Sequence, residues 1–332
     1  MYQPKFKLYI LILFFCVLLG LSLHIVSGFY LIGRNIVDAE NWIAVAQKHK
    51  KNKALSISGQ KIIIVSGSNS LFGISAEKIS QSTGIPTVNL AIHAGLGVEY
   101  ILNDVKKILN KRDIVLLPLE YNFYVDKKQI TRMYLKHILS NDTEYFWNNL
   151  NHFQQIQHLL QLSNSDIFNS FLSKNSKKEI WANLKIRASQ KKCYSGFLLN
   201  DYGDELCNIN VKPLKNLKNK FDLPTDDKYQ IDQMGSVRDF IIWCKDRQIK
   251  VLPLYPVMLE DDKFYQSKYR SFFQKIQNFY EKNGVSILGD PYQAALSYNL
   301  MFNTTYHPND QGRNVRTQQV LSLIKPYIQK SN

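Results

Sequence analysis

The chain has 332 residues, with 42 Lys+Arg against 27 Asp+Glu and a formal net charge of +15. Roughly 100–200 residues per domain allow one large domain or two small ones. Hydrophobic residues at 45% and charged residues at 21% exclude both a disordered acidic chain and a multi-pass membrane protein, and 15 Gly with 10 Pro exclude a collagen-like architecture. The excess of basic residues favours anionic partners such as phospholipid head groups, acidic envelope polymers or nucleic acid. The first thirty residues point away from nucleic acid.

Residues 8–33 contain no Lys, Arg, Asp or Glu. As a helix this stretch is about 39 Å long, enough to cross a hydrocarbon core of about 30 Å. Lys5 and Lys7 precede it, so the positive-inside rule places the N-terminus in the cytoplasm and everything after Arg34 outside, periplasmic or at the cell surface. The rival reading is a cleaved signal peptide. Its apolar region is shorter, and Val26-Ser27-Gly28 is a poor cleavage site, so an uncleaved anchor over 1–35 is expected. Cys16 falls inside this span. Cys193 and Cys207 are near enough in sequence to pair on the outer side, with three buried free thiols, Cys244 included, as the other reading. No Cys or His spacing suggests a metal site.

Residues 36–58 read as an amphipathic helix or stalk. Its basic run of Lys48, Lys50, Lys51 and Lys53 reads as a solvated face or as a contact with anionic head groups. Lys61-Ile62-Ile63-Ile64-Val65 is a β-branched run of the kind buried on both faces of a parallel sheet. A helix is predicted over 71–82, a second strand over 86–91, a helix over 97–110 and a third strand over 113–119. Strands alternating with helices predict a doubly wound parallel sheet in the segment 36–125.

The stretch 126–235 breaks the rhythm and reads as a helical insertion or cap, with a basic segment from Lys174 to Lys192. The rhythm returns over 236–332. A helix is expected at 234–247, a fourth strand at 249–254 and a helix at 263–283 with Tyr265, Tyr269, Phe272, Phe273, Ile276 and Tyr280 as core candidates. A short fifth strand follows at 285–288. Pro308 suits the first turn of a last helix running to about 329.

In open parallel sheets, sites form at the carboxyl ends of strands. The first strand is followed by Ser66-Gly67-Ser68-Asn69-Ser70 and the second by His93-Ala94-Gly95. The third is followed by Glu120-Tyr121-Asn122, and the last helix is preceded by Asn303-Thr304-Thr305-Tyr306-His307-Pro308. A hydroxyl, a glycine backbone, a carboxamide and an imidazole are the inventory of acyl transfer. These four loops resemble the blocks of the SGNH (GDSL-like) hydrolase superfamily, in its membrane-anchored bacterial envelope form. Ser66-Gly67-Ser68-Asn69-Ser70-Leu71-Phe72-Gly73-Ile74 is similar to the nucleophile block. Tyr306-His307-Pro308-Asn309-Asp310-Gln311-Gly312 is similar to the terminal histidine block.

The resemblance covers about 36–125 and 236–330 and implies a three-layer, flavodoxin-like α/β fold. It implies Ser68 as nucleophile, with Ser70 as the alternative, His307 as base, and Gly95 and Asn122 as oxyanion donors. His93 reads as a site-lining or structural residue, and Glu120 as an ion-pair partner or a substrate contact. The acid usually found three or four residues before the histidine is replaced by Thr304 or Asn303, so a neutral acceptor is expected to orient the ring. The implied substrate is an acylated glycan or other envelope polymer, and the implied activity is ester hydrolysis or O-acyl transfer without metal or organic cofactor. The missing acid leaves a second reading open: an inactive scaffold that binds glycan or assists a membrane-bound acyltransferase or export machine.

Overall fold

The computed structural model describes residues 3–125, 130–173, 176–217, 223 and 234–328. Of the expected insertion, residues 126–129, 174–175, 218–222 and 224–233 lie outside them. The elements in chain order begin with α1 (Gln3–Leu31), α2 (Asn41–Leu55), β1 (Ile62–Ile64), α3 (Ser68–Gly73), α4 (Ala76–Thr83), β2 (Thr87–Asn89), α5 (Val98–Lys106) and β3 (Ile114–Leu117). Next come α6 (Arg132–Ser140), α7 (Thr143–Asn149), α8 (His152–Leu160), α9 (Asn164–Leu172) and α10 (Lys177–Ser189). The chain closes with α11 (Gly235–Asp246), β4 (Lys250–Pro253), β5 (Met258–Leu259), α12 (Ser267–Lys282), β6 (Ala295–Leu296) and α13 (Asp310–Ile324).

Two compact units result, one of 1–44 with 130–183 and one of 45–129 with 184–332. Residues 130–183 of the expected insertion and residues 36–44 of the expected α/β segment therefore group with the N-terminal helix. The segment from 184 onward belongs with the α/β elements.

The α/β unit holds a parallel sheet of order β2-β1-β3-β4. β1 is a run of three isoleucines, and alternate positions serve opposite faces. Ile62 and Ile64 join Ile114, Leu116 and Leu252 in one cluster with Ile79 of α4 and Val320 and Ile324 of α13. Lys61 and Asp113, just ahead of β1 and β3, form a buried ion pair at 2.8 Å that ties the two strand starts together.

Several expectations are corrected. The helix expected at 71–82 is two helices, because Ser75 accepts from the Lys78 amide and caps a new start. The fifth strand shrinks to one bridge, Leu254 to Leu288, because the Val285 amide turns back to the Tyr280 carbonyl. β5 and β6 form a separate parallel pair that no periodicity announced. Pro308 precedes the cap of the last helix, which Asn309 supplies by accepting from the Gly312 amide. Tyr265 is exposed, whereas Tyr269, Phe272, Phe273, Ile276 and Tyr280 are core. The basic run of α2 is not a uniform solvated face. Lys50 is buried, its ammonium donating to the Ala91 carbonyl, and burial pulls its pKa down to about 7. Lys51 pairs with Asp104.

In the other unit, α1 is long and apolar enough to cross a membrane over Phe6–Leu31. Residues 6–23 are exposed throughout.

Candidate functional site

β1 ends at the Ser66-Gly67 turn, and α3 begins at once with Ser68 in its first position. What holds this turn is Glu120, buried just past β3. Its carboxylate accepts from the amides of Gly67 (3.0 Å) and Asn69 (3.0 Å), and Ser66 Oγ lies 3.1 Å from it. A Cβ on residue 67 would fall 2.3 Å from Glu120 Oε1 and would push the carboxylate off the two amides it holds. Asn69 Nδ2 donates to Ser66 Oγ (2.6 Å) and to the Pro118 carbonyl (2.9 Å), completing a buried polar floor. Burial pushes the Glu120 carboxyl upward, against the amide donors that pull it down. Of three consecutive amides, those of residues 67 and 69 are held by Glu120. The amide of Ser68 has no acceptor among the described residues.

The histidine comes from a tight reversal. Met301 and Pro308 bridge antiparallel, and the Phe302 amide donates to the His307 carbonyl at 2.8 Å. This places Asn303 beside the ring of His307. Thr304 shapes the turn, its hydroxyl accepting from the Tyr306 amide at 3.2 Å. His307 packs on Phe72 with centroids 4.4 Å apart.

His307 Nε2 lies 2.8 Å from Ser68 Oγ, and His307 Nδ1 lies 2.7 Å from Asn303 Oδ1. At its other end the carboxamide is placed with Asn303 Nδ2 donating to Tyr194 Oη at 3.3 Å, which turns Oδ1 to the ring. Oδ1 is then the acceptor, Nδ1 carries the ring proton, and the Nε2 lone pair faces the serine hydroxyl. Burial, reinforced by His93, pulls the His307 pKa down to about 3, so the ring is neutral at physiological pH.

The remaining expected residues are placed differently. Ser70 is buried with its hydroxyl donating to Asn69 Oδ1 at 3.0 Å, away from the imidazole. The Gly95 amide donates to His93 Nδ1 at 2.9 Å and is thereby engaged. Asn122 is exposed, and its carboxamide makes no hydrogen bond to Ser68 or His307. The structure thus brings together Ser68, His307 and Asn303. His93, which holds the Gly95 amide, lies close enough to His307 to act on its pKa.

Three supports, Tyr194, Asn208 and Arg313, have no sequence signal of their own, and they gather around a disulfide that the sequence offered as one of two readings. Cys193 and Cys207 form a disulfide, with Cα atoms 5.1 Å apart, and Tyr194 is next to it in the chain. Asn208 donates to the Phe72 carbonyl (3.1 Å) and the Pro308 carbonyl (2.8 Å), joining the end of α3 to the histidine loop. Arg313 is buried and donates to the Phe72 carbonyl (2.8 Å), to the Glu205 carbonyl and to Asn208. Serine and imidazole are therefore clamped by residues from either side of the disulfide.

On the far side of the buried Tyr121 ring from this loop is an aromatic cleft of about 340 Å³ lined by Tyr255, Tyr265, Phe273, Tyr292, Arg270 and two glutamines of α12. Tyr255 follows β4 at the carboxyl edge of the sheet. Tyr121 links the two places, its ring centroid 5.3 Å from Phe273 and 6.5 Å from Tyr306, the neighbour of His307. Among the described residues no group of His, Cys, Asp and Glu is arranged to hold a metal ion. No protein-family model matches the chain, and no curated protein matches it.

Proposed function

We propose that the chain is a membrane-tethered serine ester hydrolase or O-acyltransferase acting on an acylated cell-envelope polymer. Its α/β unit is read as a three-layer, flavodoxin-like domain of the SGNH type. The observation that carries this reading is the line Ser68 Oγ, His307 Nε2, His307 Nδ1, Asn303 Oδ1, with contacts of 2.8 and 2.7 Å. A neutral, correctly protonated imidazole facing a serine hydroxyl is the arrangement of a general base and its nucleophile.

Ser68 Oγ attacks the ester carbonyl while His307 Nε2 takes the hydroxyl proton. Collapse of the tetrahedral adduct breaks the bond to the leaving oxygen, which receives that proton. Water or a polymer hydroxyl then attacks the acyl-serine, gives its proton to His307 and restores the hydroxyl. The Ser68 amide is the oxyanion donor in hand. A second donor would need the Gly95 amide to leave His93. The chemistry needs no metal or organic cofactor.

Side and substrate have separate supports. The apolar α1 with Lys5 and Lys7 ahead of it fits an anchor with the α/β unit outside. A disulfide between Cys193 and Cys207 fits an oxidising compartment. The cleft beyond Tyr121 offers a sugar polymer flat rings, whose negative faces meet pyranose C–H groups, with amide and guanidinium groups for its hydroxyls.

The neutral Asn303 and the engaged Gly95 amide favour the second reading, a glycan-binding scaffold serving a membrane-bound acyltransferase. A fluorophosphonate probe on the full chain separates the two. Labelling that disappears in Ser68→Ala supports the enzyme, and no labelling of a folded chain supports the scaffold.

A further inference from the structure

α8 and α9 each carry two faces. On α8 the inward positions include Leu159, while Phe153, Ile156 and Leu160 point outward at 70%, 40% and 43% exposure. On α9 the inward positions are Asp166, Ile167 and Ser170, while Phe168, Phe171 and Leu172 are outward at 63%, 50% and 63%. On α8 the outward residues stand three, four and seven apart, and on α9 Phe171 and Leu172 stand three and four positions after Phe168, so each set forms one stripe along its helix. Neither stripe contains a charged residue. The only charge on the two helices, Asp166, faces inward to Lys136 and Arg132. Large apolar side chains left exposed along two neighbouring helices point to an interaction surface.

The position of the stripes identifies the partner. α8 and α9 belong to the same compact unit as α1 and pack against it. The contacts that fix them lie near its C-terminal end. His24 bonds to the Leu159 carbonyl (3.2 Å) and to Asn164 (3.1 Å), and Tyr30 stacks on Phe171 with centroids 5.1 Å apart. At Gly28 a Cβ would approach Leu159 Cδ2 to 3.1 Å, so glycine lets the helices close up. The uncovered part of α1, residues 6–23, is about 27 Å long, close to the hydrocarbon thickness. If those residues fill the hydrocarbon, the contact zone at 24–31 lies at the bilayer boundary, and α8 and α9 lie there with it.

We propose that α8 and α9 form a lipid-facing seat, lying in the boundary layer of the bilayer that α1 spans with Phe153 and Phe168 inserted. This rests on reading α1 as a membrane span. The seat is an amphipathic interfacial surface rather than a second span, since each helix is only 9 residues long. It gives the unit a fixed attachment to the surface in place of a single flexible tether.

Nitroxide labelling of the full chain in nanodiscs of phosphatidylcholine and phosphatidylglycerol tests the seat. Cys16 is replaced by Ala, buried Cys244 is left in place, and one label is put at Phe153→Cys, Phe168→Cys, Lys245→Cys or Leu13→Cys. The seat predicts labels at 153 and 168 that collide several-fold more with oxygen than with a water-soluble nickel chelate, and the reverse at the charged surface position 245. Nickel-dominated collisions at 153 and 168 would show a face in water and overturn the seat. Labels there shielded from both reagents would show a protein partner or a second copy on that face, and would also overturn it. The label at 13 reports the span separately. Oxygen-dominated collisions there with water-exposed 153 and 168 would leave the span standing without the seat. A water-exposed label at 13 would remove the premise itself.

Discussion

Asn303 Oδ1 stands 2.7 Å from His307 Nδ1, where a carboxylate would complete an acid–base–nucleophile triad. The neutral amide fixes the tautomer but adds little stabilisation to the imidazolium that forms during the reaction. In a serine protease, exchanging the acid for its amide lowers turnover on the order of 10⁴-fold. Asn303→Asp is therefore expected to raise turnover of a small acetyl ester by about 10²-fold or more. Asn303→Leu, which leaves Nδ1 without an acceptor, should lower it. The rates of both variants on p-nitrophenyl acetate check this, and equal rates for wild type and Asn303→Asp would show that the ring needs no further stabilisation.

His307 also sets a pH signature. Its pKa is about 3 in the fold, against about 6.5 in an unfolded chain. Between these values the unfolded chain takes up a proton that the fold rejects. The stability contributed is complete above about pH 6.5 and is lost progressively as pH falls toward 3. Urea midpoints measured across this range should fall more steeply for wild type than for His307→Gln. Parallel slopes would place the pH dependence elsewhere.

The Glu120 clamp predicts a coupled loss of stability and reactivity. Glu120→Gln keeps the shape but turns an amide donor toward the Gly67 or Asn69 amide. A lost charge-assisted hydrogen bond in a buried site costs roughly 2–4 kcal/mol. Gly67→Ala should be at least as damaging, because its Cβ meets the same carboxylate. Denaturation midpoints together with probe labelling of Ser68 check both variants. Full stability in Glu120→Gln would show that the turn holds itself.

The disulfide is expected to act on the site through Tyr194. Opening a bridge with a sequence separation of 14 costs about 3 kcal/mol by the chain-entropy argument. It should also loosen Tyr194 from Asn303, and Tyr194→Phe should reproduce that part alone. Labelling rates of the reduced chain and of Tyr194→Phe should both fall, with only the reduced chain losing marked stability.

The aromatic cleft separates polymer from small ester. Tyr265→Ala removes the most open ring and should leave turnover of p-nitrophenyl acetate unchanged. It should lower activity on an acetylated polysaccharide roughly tenfold, as expected for one lost stacking contact. Equal losses on both substrates would tie Tyr265 to folding rather than to the polymer.

The sheet and the serine–histidine pair were legible because each rests on a local pattern. Ile62-Ile63-Ile64 ends at a serine turn, and His307 stands just ahead of an Asn309 cap. Glu120 could have been found from register, since Ile64 pairs with Leu116 and carries residues 67–69 to the level of 119–121. Tyr194, Asn208 and Arg313 could not. Their contacts join residues 109, 100 and 241 positions apart, and nothing local at either end announces them. The segment 184–217 reads as insertion for the same reason. Its composition is helical and polar, while its role is to brace the two halves of the site.

The most direct test of the account is fluorophosphonate labelling of the full chain in nanodiscs, followed by mass spectrometry of the modified peptide. The account predicts one adduct on Ser68, absent in Ser68→Ala, strongly reduced in His307→Gln and retained in Ser70→Ala. Absence of any adduct on the folded chain, or an adduct that persists in Ser68→Ala, would contradict it.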